Sequence, residues 1–325
     1  MTTIVTSDEL AQDAQDFLRL KRALGMRCQR GELCLRSFVR FVALHERGGC
    51  GGIALDEAIA RWCSRIKERK PIAVAGEFGI VRQLCLFRRR RLPLSYVPDR
   101  ALAPIRQSVF LPQILTDDEV RRLLAAATVH DGRFIWGPLF RALILVLYCT
   151  GVRLGEATRL HCKNVDLVRG ILTIDNSKGR TRLVPIRDDL AHELRHYGAA
   201  RRRLIAARGL PDPEFFFVRR DASPLPVKSA SEALRQLLRQ LGLKPLRGRI
   251  GPRPYELRHT FAVHRLTAWA TSGIDVHPKL PWLSAYLGHQ DLLGTEVYLR
   301  ATPELLELAS RRFEDHARPR RRSQR

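Results

Sequence analysis

Residues 140–156 read Phe-Arg-Ala-Leu-Ile-Leu-Val-Leu-Tyr-Cys-Thr-Gly-Val-Arg-Leu-Gly-Glu, the stretch of the chain that says most about its fold. Up to Cys149 the residues are apolar on nearly every side of a helix, which predicts a helix buried in a core. Gly151 ends that helix, because glycine is the usual residue just past a helix C-terminus. Arg153 begins a new helix, and Glu156 follows three residues later.

A β-hairpin is predicted shortly after this stretch. The runs Ile171–Asp175 and Arg182–Ile186 are rich in β-forming residues and are separated by Asn176-Ser-Lys-Gly-Arg180. Two short runs of this kind around a glycine-containing turn are typical of antiparallel strands. The turn of this hairpin would present Lys178, although a lysine in a turn is also a common solvent-exposed residue.

Two further stretches of the sequence contain candidate functional residues. Leu257-Arg-His-Thr-Phe-Ala262 places Arg258 early in a predicted helix, and Leu287-Gly-His-Gln290 is followed by Tyr298, nine residues after His289. Taken one at a time, such short motifs arise by chance. His259 and His264, on the same predicted helix as Arg258, are interpreted as structural residues.

The four stretches together, in this order and within about 150 residues, resemble the tyrosine recombinase (phage integrase) family. The matching patterns are T-G-x-R-x-x-E, the hairpin lysine, L-R-H-T-F-A and L-G-H followed after eight residues by Tyr. The resemblance covers residues 110–315, and the predicted helical unit at residues 8–91 agrees with the family's core-binding domain in layout only. The sequence Ala-Thr-Pro-Glu-Leu after residue 300 is similar to the transposon-borne branch.

The resemblance implies a metal-free and cofactor-free reaction on double-stranded DNA. Tyr298 would attack the scissile phosphate and form a 3′-phosphotyrosine and a free 5′-hydroxyl, which conserves the energy of the phosphodiester. Arg153 and Arg258 would stabilise the charged transition state, since bidentate donors suit phosphate oxygens. His289 would donate a further hydrogen bond, and Lys178 would protonate the leaving oxygen. Glu156 would orient the first arginine.

One position departs from the family pattern. Three residues before the second arginine the family usually has histidine, whereas this chain has Tyr255, in Pro254-Tyr-Glu-Leu-Arg258. A phenol with a pKa near ~10 cannot act as a base at neutral pH as imidazole can. It can donate a hydrogen bond to phosphate, or it can simply pack at the start of the helix.

The sequence also allows other interpretations of these residues. Arg153 and Glu156 could be a surface helix pair, His289 could follow a helix cap, and Tyr298 could be a half-buried aromatic residue. At the level of the whole protein, the alternatives are a catalytically weak or inactive DNA-binding relative and a strand passer resembling type IB topoisomerases.

The predicted fold class is mainly α with a small β-sheet (α+β), arranged as two domains that clamp DNA. Residues 1–91 carry helical periodicity and are predicted to be a core-binding domain. Four prolines fall in residues 92–115, which predicts a linker. Residues 116–317 would be the catalytic domain and residues 318–325 a basic tail.

Composition supports a DNA partner. The 325 residues carry a net charge of +24, from 57 Lys+Arg against 33 Asp+Glu, and nucleic acid is the commonest intracellular polyanion. Candidate phosphate contacts in the first domain are basic residues on its helices: Arg36, Arg40, Arg88, Arg89, Arg90 and Arg91. The resemblance implies a homo-tetramer, or a mixed tetramer with related recombinases, on synapsed DNA sites. Without a long apolar run or signal peptide, the chain is expected to be cytoplasmic, nucleoid-associated and not a membrane protein.

Overall fold

A computed structural model describes residues 3–26, 28–46, 52–65, 69–103, 112–177, 180–248 and 250–300, together with residues 307 and 310. The chain forms two compact units, Met1–Phe110 and Leu111–Arg325. Several predicted features lie outside the described residues: Lys178, residues 104–111 of the predicted linker, the stretch at 301–305 and the basic tail at 318–325. No helix in the described ranges is long and apolar enough to cross a bilayer.

The first unit is built from helices and one short strand pair. Strands β1 (Ile4–Val5) and β2 (Ile53–Ala54) pair antiparallel and were not predicted from the sequence. The helices are α1 (Ser7–Ala23), α2 (Gln29–Glu46), α3 (Leu55–Ser64) and α4 (Pro71–Arg91).

Apolar residues at helical spacing form the core of this unit. Leu35, Phe38 and Val42 on α2 are fully buried, at intervals of three and four residues that place them on one helix face. Trp62 of α3 packs its ring edge-on against Phe38, with the ring centroids 5.3 Å apart. The unit therefore has its own apolar core.

The four consecutive arginines at the end of α4 have different environments. Arg88 is only 4% exposed and pairs with the fully buried Asp13 and with Glu9 of α1, so the prediction of a DNA contact at Arg88 is wrong. It lies three, four and seven residues after buried apolar residues of α4, on the same face. Arg91 also pairs with Asp13 but stays partly exposed, and Arg89 and Arg90 are exposed.

The second unit is mainly helical and contains one small sheet, which confirms the predicted fold class. Its helices are α5 (Asp117–Thr128), α6 (Gly137–Thr150), α7 (Leu154–Ala157), α8 (Asp188–Ala207), α9 (Val227–Gln240), α10 (Glu256–Thr271), α11 (Leu280–Leu287) and α12 (Leu293–Glu296). A capping box at the start of α5 joins Thr116 and Glu119. Helix α6 is buried on nearly all sides, as its apolar sequence predicts.

The sheet has the strand order β3-β4-β5 and is antiparallel throughout. Its strands are β3 (Val165–Asp166), β4 (Ile171–Ser177) and β5 (Arg180–Pro185). The pairing of Ile171 with Pro185 and of Leu172 with Val184 confirms the predicted hairpin. The hairpin brings the side chain of Arg182 against α11, where its Nε donates to the Tyr286 carbonyl at 3.0 Å.

Candidate active site

Two glycine turns hold the two arginines that the sequence singles out. Gly151 ends α6 with φ 61° and Gly288 ends α11 with φ 69°, in the left-handed region that glycine tolerates best. The Gly151 carbonyl accepts a 2.6 Å hydrogen bond from Arg258 Nη1, and the Gly288 carbonyl accepts one of 3.1 Å from Arg153 Nη2. A side chain at residue 151 would also collide with the Phe261 ring, because a Cβ there would lie 2.6 Å from it.

Arg153 is oriented by a buried carboxylate. Glu156 accepts a 2.7 Å hydrogen bond from Arg153 Nη1 and one of 2.9 Å from its backbone N–H. The same carboxylate accepts a 2.7 Å bond from Arg182 Nη2 of strand β5. Glu156 therefore fixes Arg153 as predicted, and it also ties the sheet to the site through Arg182, a contact that the sequence analysis did not predict.

Arg258 is almost fully buried, at 1% exposure. Its Nη2 donates to the Leu287 carbonyl at 2.8 Å, so both terminal nitrogens of the guanidinium bind carbonyls at helix ends. Burial lowers the pKa of Arg258, and the nearby Arg153 acts in the same direction. The Arg258 Nε is buried and makes no hydrogen bond to any residue that the structure describes, so a donor remains for an anionic ligand.

Tyr298 lies on a short 3-10 turn, Val297–Arg300, and is only 2% exposed. Its hydroxyl oxygen is 3.1 Å from His259 Nδ1, and its ring stacks beside the His289 ring at a centroid distance of 6.2 Å. Burial raises the pKa of Tyr298 to about 12, although Arg258 opposes the shift. The phenol is therefore protonated at neutral pH and must lose its proton before it can act as a nucleophile.

His289 is held by a buried threonine. Its Nδ1 is 2.7 Å from the hydroxyl oxygen of Thr295, which is fully buried, and its backbone N–H donates to the Ser284 carbonyl at 3.0 Å. These contacts fix the ring beside Tyr298. The Leu-Gly-His sequence thus ends α11 and positions a histidine at the site, as the motif predicts.

Tyr255 lies at the edge of the same site. It directly precedes α10, is 39% exposed, and presents its ring to the His259 ring at a centroid distance of 4.8 Å. The guanidinium carbon of Arg258 lies 6.0 Å from the centre of the Tyr255 ring. The residue is therefore close enough to the site to take part in it.

The structure brings together Arg153, Arg258, His289 and Tyr298, with Tyr255 beside them. It adds His259, which the sequence analysis interpreted as structural. The one available signal was the position of His259 directly after Arg258 in a buried helix. His264, the other histidine interpreted as structural, lies 3.0 Å from the Tyr148 hydroxyl on a different part of α10.

The described residues offer no candidate metal site. Across the ranges that the structure describes, no three His, Cys, Asp or Glu side chains lie close enough to hold a metal ion. The site is instead built from arginines, histidines and a tyrosine, side chains whose chemistry allows donation to phosphate oxygens and covalent attack on phosphorus. This combination is typical of proteins whose site can transfer a phosphoryl group to a tyrosine.

The family follows from sequence comparison. Residues 113–304 match the sequence model of the phage integrase family, and the chain belongs to that family, the tyrosine recombinases. Integrase/recombinase y4rB of Sinorhizobium fredii is 32% identical over 308 residues, which is 93% of this chain and 96% of the relative. Tyrosine recombinase XerA of Pyrococcus furiosus is 31% identical over 206 residues, 62% of each chain. The protein is a tyrosine-type site-specific recombinase.

Two solved structures share the fold. The Tn1549 transposon integrase in complex with transposon right end DNA has a TM-score of 0.62 at 16% identity, covering 93% of this chain and 99% of that one. A lambda integrase tetramer bound to a Holliday junction has a TM-score of 0.58 at 18% identity, covering 87% and 77%. This chain therefore shares its fold with a transposon integrase, in agreement with the predicted likeness to transposon-borne recombinases.

Proposed function

We propose that this recombinase cuts and rejoins DNA through a covalent bond between Tyr298 and a 3′-phosphate. In the cleavage step the Tyr298 oxygen forms a bond to phosphorus, the bond from phosphorus to the 5′-oxygen breaks, and that oxygen leaves as a 5′-hydroxyl. The observation that carries the proposal is the enclosure of the Tyr298 hydroxyl by Arg258, His259 and His289 in one site. Rejoining is the same step in reverse, so no external energy source is needed.

The remaining residues of the site have roles that follow from their chemistry. Arg153 and Arg258 bind the non-bridging oxygens, on which negative charge grows in the transition state. His289, held by Thr295, donates to the same phosphate group. Lys178 at the hairpin turn is proposed to protonate the leaving 5′-oxygen. Because Glu156 also binds the hairpin residue Arg182, the hairpin that carries this lysine is tied to the arginine site.

DNA binding and assembly are part of the proposal. The net charge of +24 supports binding to double-stranded DNA, and the Tn1549 and lambda integrases of similar fold were solved with DNA. Residues 1–91 are proposed as the core-binding domain, with the exposed Arg36, Arg40, Arg89 and Arg90 as phosphate contacts. The lambda structure is a tetramer, which supports a homo-tetramer or mixed tetramer here on two synapsed sites. The apolar residues Leu305, Leu306, Leu308 and Phe313, proposed to dock on a neighbour, lie outside the described residues.

A nicked suicide substrate tests the proposed function. In such DNA the released 5′-end diffuses away, so each cleavage leaves the protein trapped on its 3′-phosphate. We expect a protein–DNA band that survives SDS, and recombination between two copies of the target site. No covalent band would identify an inactive DNA-binding relative, whereas relaxation of supercoils on unrelated DNA without recombination would identify a strand passer resembling a topoisomerase.

Tyr255 is expected to donate one hydrogen bond to the phosphate. Tyr255→Phe removes only the hydroxyl and should slow cleavage about tenfold, the equivalent of roughly 1.4 kcal/mol for one hydrogen bond. Tyr255→His restores the residue usual in the family and should keep or raise the rate. Single-turnover cleavage at matched DNA occupancy measures both. A Phe variant that cleaves at the wild-type rate would remove Tyr255 from the site.

A further inference from the structure

His259 contacts the hydroxyl that the proposed reaction uses. Its Nδ1 lies 3.1 Å from the Tyr298 oxygen, within the range over which a general base takes a proton. Both side chains are buried, at 9% and 2% exposure, and the two rings meet edge to face at a centroid distance of 5.4 Å. His259 and Tyr298 are 39 residues apart in the chain, so the fold itself creates this contact.

A buried carboxylate lies on the other side of the same imidazole. Glu256 Oε2 is 3.8 Å from His259 Nε2, one turn earlier on α10, and Glu256 is only 2% exposed. The other carboxylate oxygen, Oε1, accepts a 3.0 Å bond from Arg253 Nε. Oε2 is buried and makes no hydrogen bond to the residues that the structure describes. It is therefore available to an N–H on the ring beside it.

The two contacts together select one tautomer of His259. A carboxylate beside Nε2 favours the form that carries its proton there, which leaves Nδ1 as an acceptor facing the Tyr298 hydroxyl. The carboxylate of Glu256, the imidazole of His259 and the hydroxyl of Tyr298 therefore lie in a row. In such an arrangement the carboxylate orients the base, and the base activates the nucleophile. Tyr255, which stands where the family usually has histidine, packs against His259 and cannot supply a base of this kind.

We propose that His259 is the general base that takes the proton of Tyr298, and that Glu256 is a positioning residue for it. The inference rests on the proposed role of Tyr298 as nucleophile. As the bond from the Tyr298 oxygen to phosphorus forms, the hydroxyl proton passes to His259 Nδ1, and Glu256 faces the imidazolium that results. In rejoining, the phenol leaves phosphorus and takes the same proton back from Nδ1.

The surroundings of His259 keep its imidazole neutral before the reaction. Burial lowers the pKa of His259 to about 4, with Arg253 and Arg258 adding to the shift, so the ring is neutral at pH 7 and can accept a proton. Burial raises the pKa of Tyr298 to about 12. Full transfer before attack is therefore unfavourable, and the proton moves as phosphorus draws charge from the phenol oxygen. A base contributes in that concerted step.

Two matched variants test the base. His259→Asn keeps a polar group near the position of Nδ1 but cannot take a proton, and it should slow single-turnover cleavage of the suicide substrate about a hundredfold or more. His264→Asn is the control, because it removes the same kind of tyrosine contact from the same helix at Tyr148. It should cleave at the wild-type rate. His259→Gln serves as a second variant if Asn disturbs folding, as judged by DNA binding.

A second measurement separates proton transfer from packing. Replacement of Tyr298 by a fluorinated tyrosine gives a more acidic phenol, which depends less on a base. The rate deficit of His259→Asn, and that of Glu256→Gln, should then shrink by roughly tenfold. An unchanged deficit, or cleavage by His259→Asn at the wild-type rate, would overturn the inference alone. A wild-type protein that forms no covalent band would overturn the proposed function together with it.

Discussion

Tyr298→Phe is expected to bind DNA normally and to form no covalent adduct. The substitution removes one oxygen atom and keeps the ring, so the packing against His289 and His259 is retained. The lost contact to His259 Nδ1 is a single hydrogen bond, worth about 1 kcal/mol of stability, whereas the lost nucleophile has no substitute. A suicide-substrate gel in SDS measures the adduct, and a mobility-shift assay in the same buffer measures binding.

Tyr286→Phe is the matched control for this experiment. Tyr286 lies on α11, and its hydroxyl donates to the Pro185 carbonyl at 2.9 Å rather than to a residue of the site. Burial raises the pKa of Tyr286 to about 12, as for Tyr298, so both phenols are protonated at neutral pH. The control should form adduct at the wild-type level. An undiminished adduct in Tyr298→Phe would assign the nucleophile to another residue.

Most of the site could be predicted because its residues occur at helix ends with local signatures. Gly151 and Gly288 each end a helix in a left-handed conformation, and each carbonyl holds an arginine. A glycine followed closely by Arg or His therefore carries both the turn and the functional residue. These signatures are local in the sequence. The order of the four stretches, which resembles that of the tyrosine recombinase family, then indicated that their residues belong to one site.

The contact between His259 and Tyr298 could not be predicted in the same way. It depends on how the turn Val297–Arg300 packs on α10, and spacing along the chain does not contain that information. A buried histidine within an apolar helix has the same sequence signature whether it supports the core or faces a nucleophile. His264 and His259 illustrate the two outcomes on one helix.

Arg88 is a different kind of error, because the signal was present. Val81, Leu84 and Cys85 precede it by seven, four and three residues, so helical periodicity places Arg88 on the buried face of α4. Treating the four arginines as one charged run hid that periodicity. A charge on a buried helix face needs a buried partner, and Asp13, fully buried on α1, is that partner.

The roles proposed for the two arginines and for Lys178 can be separated by changing the leaving group. Lys178→Ala removes the proposed acid, while Arg153→Ala and Arg258→Lys remove bidentate donors to the phosphate. Residue 258 is changed to lysine because alanine would leave the Gly151 and Leu287 carbonyls without a donor. Each arginine substitution should slow cleavage about 10²–10³-fold, the scale for single transition-state donors. Wild-type cleavage should continue in excess EDTA, since the proposed mechanism uses no metal.

Sulfur in place of the 5′-bridging oxygen then distinguishes an acid from a transition-state donor. A thiolate leaves without a proton, so this substrate should restore cleavage by Lys178→Ala to near the wild-type rate. It should not rescue Arg153→Ala or Arg258→Lys, because the charge on the non-bridging oxygens still has to be stabilised. It should not rescue His259→Asn either, since that variant lacks the base for the attacking oxygen and not the acid for the leaving one. If the sulfur substrate rescued an arginine variant and did not rescue Lys178→Ala, that arginine would be the acid and Lys178 would be a donor to the phosphate.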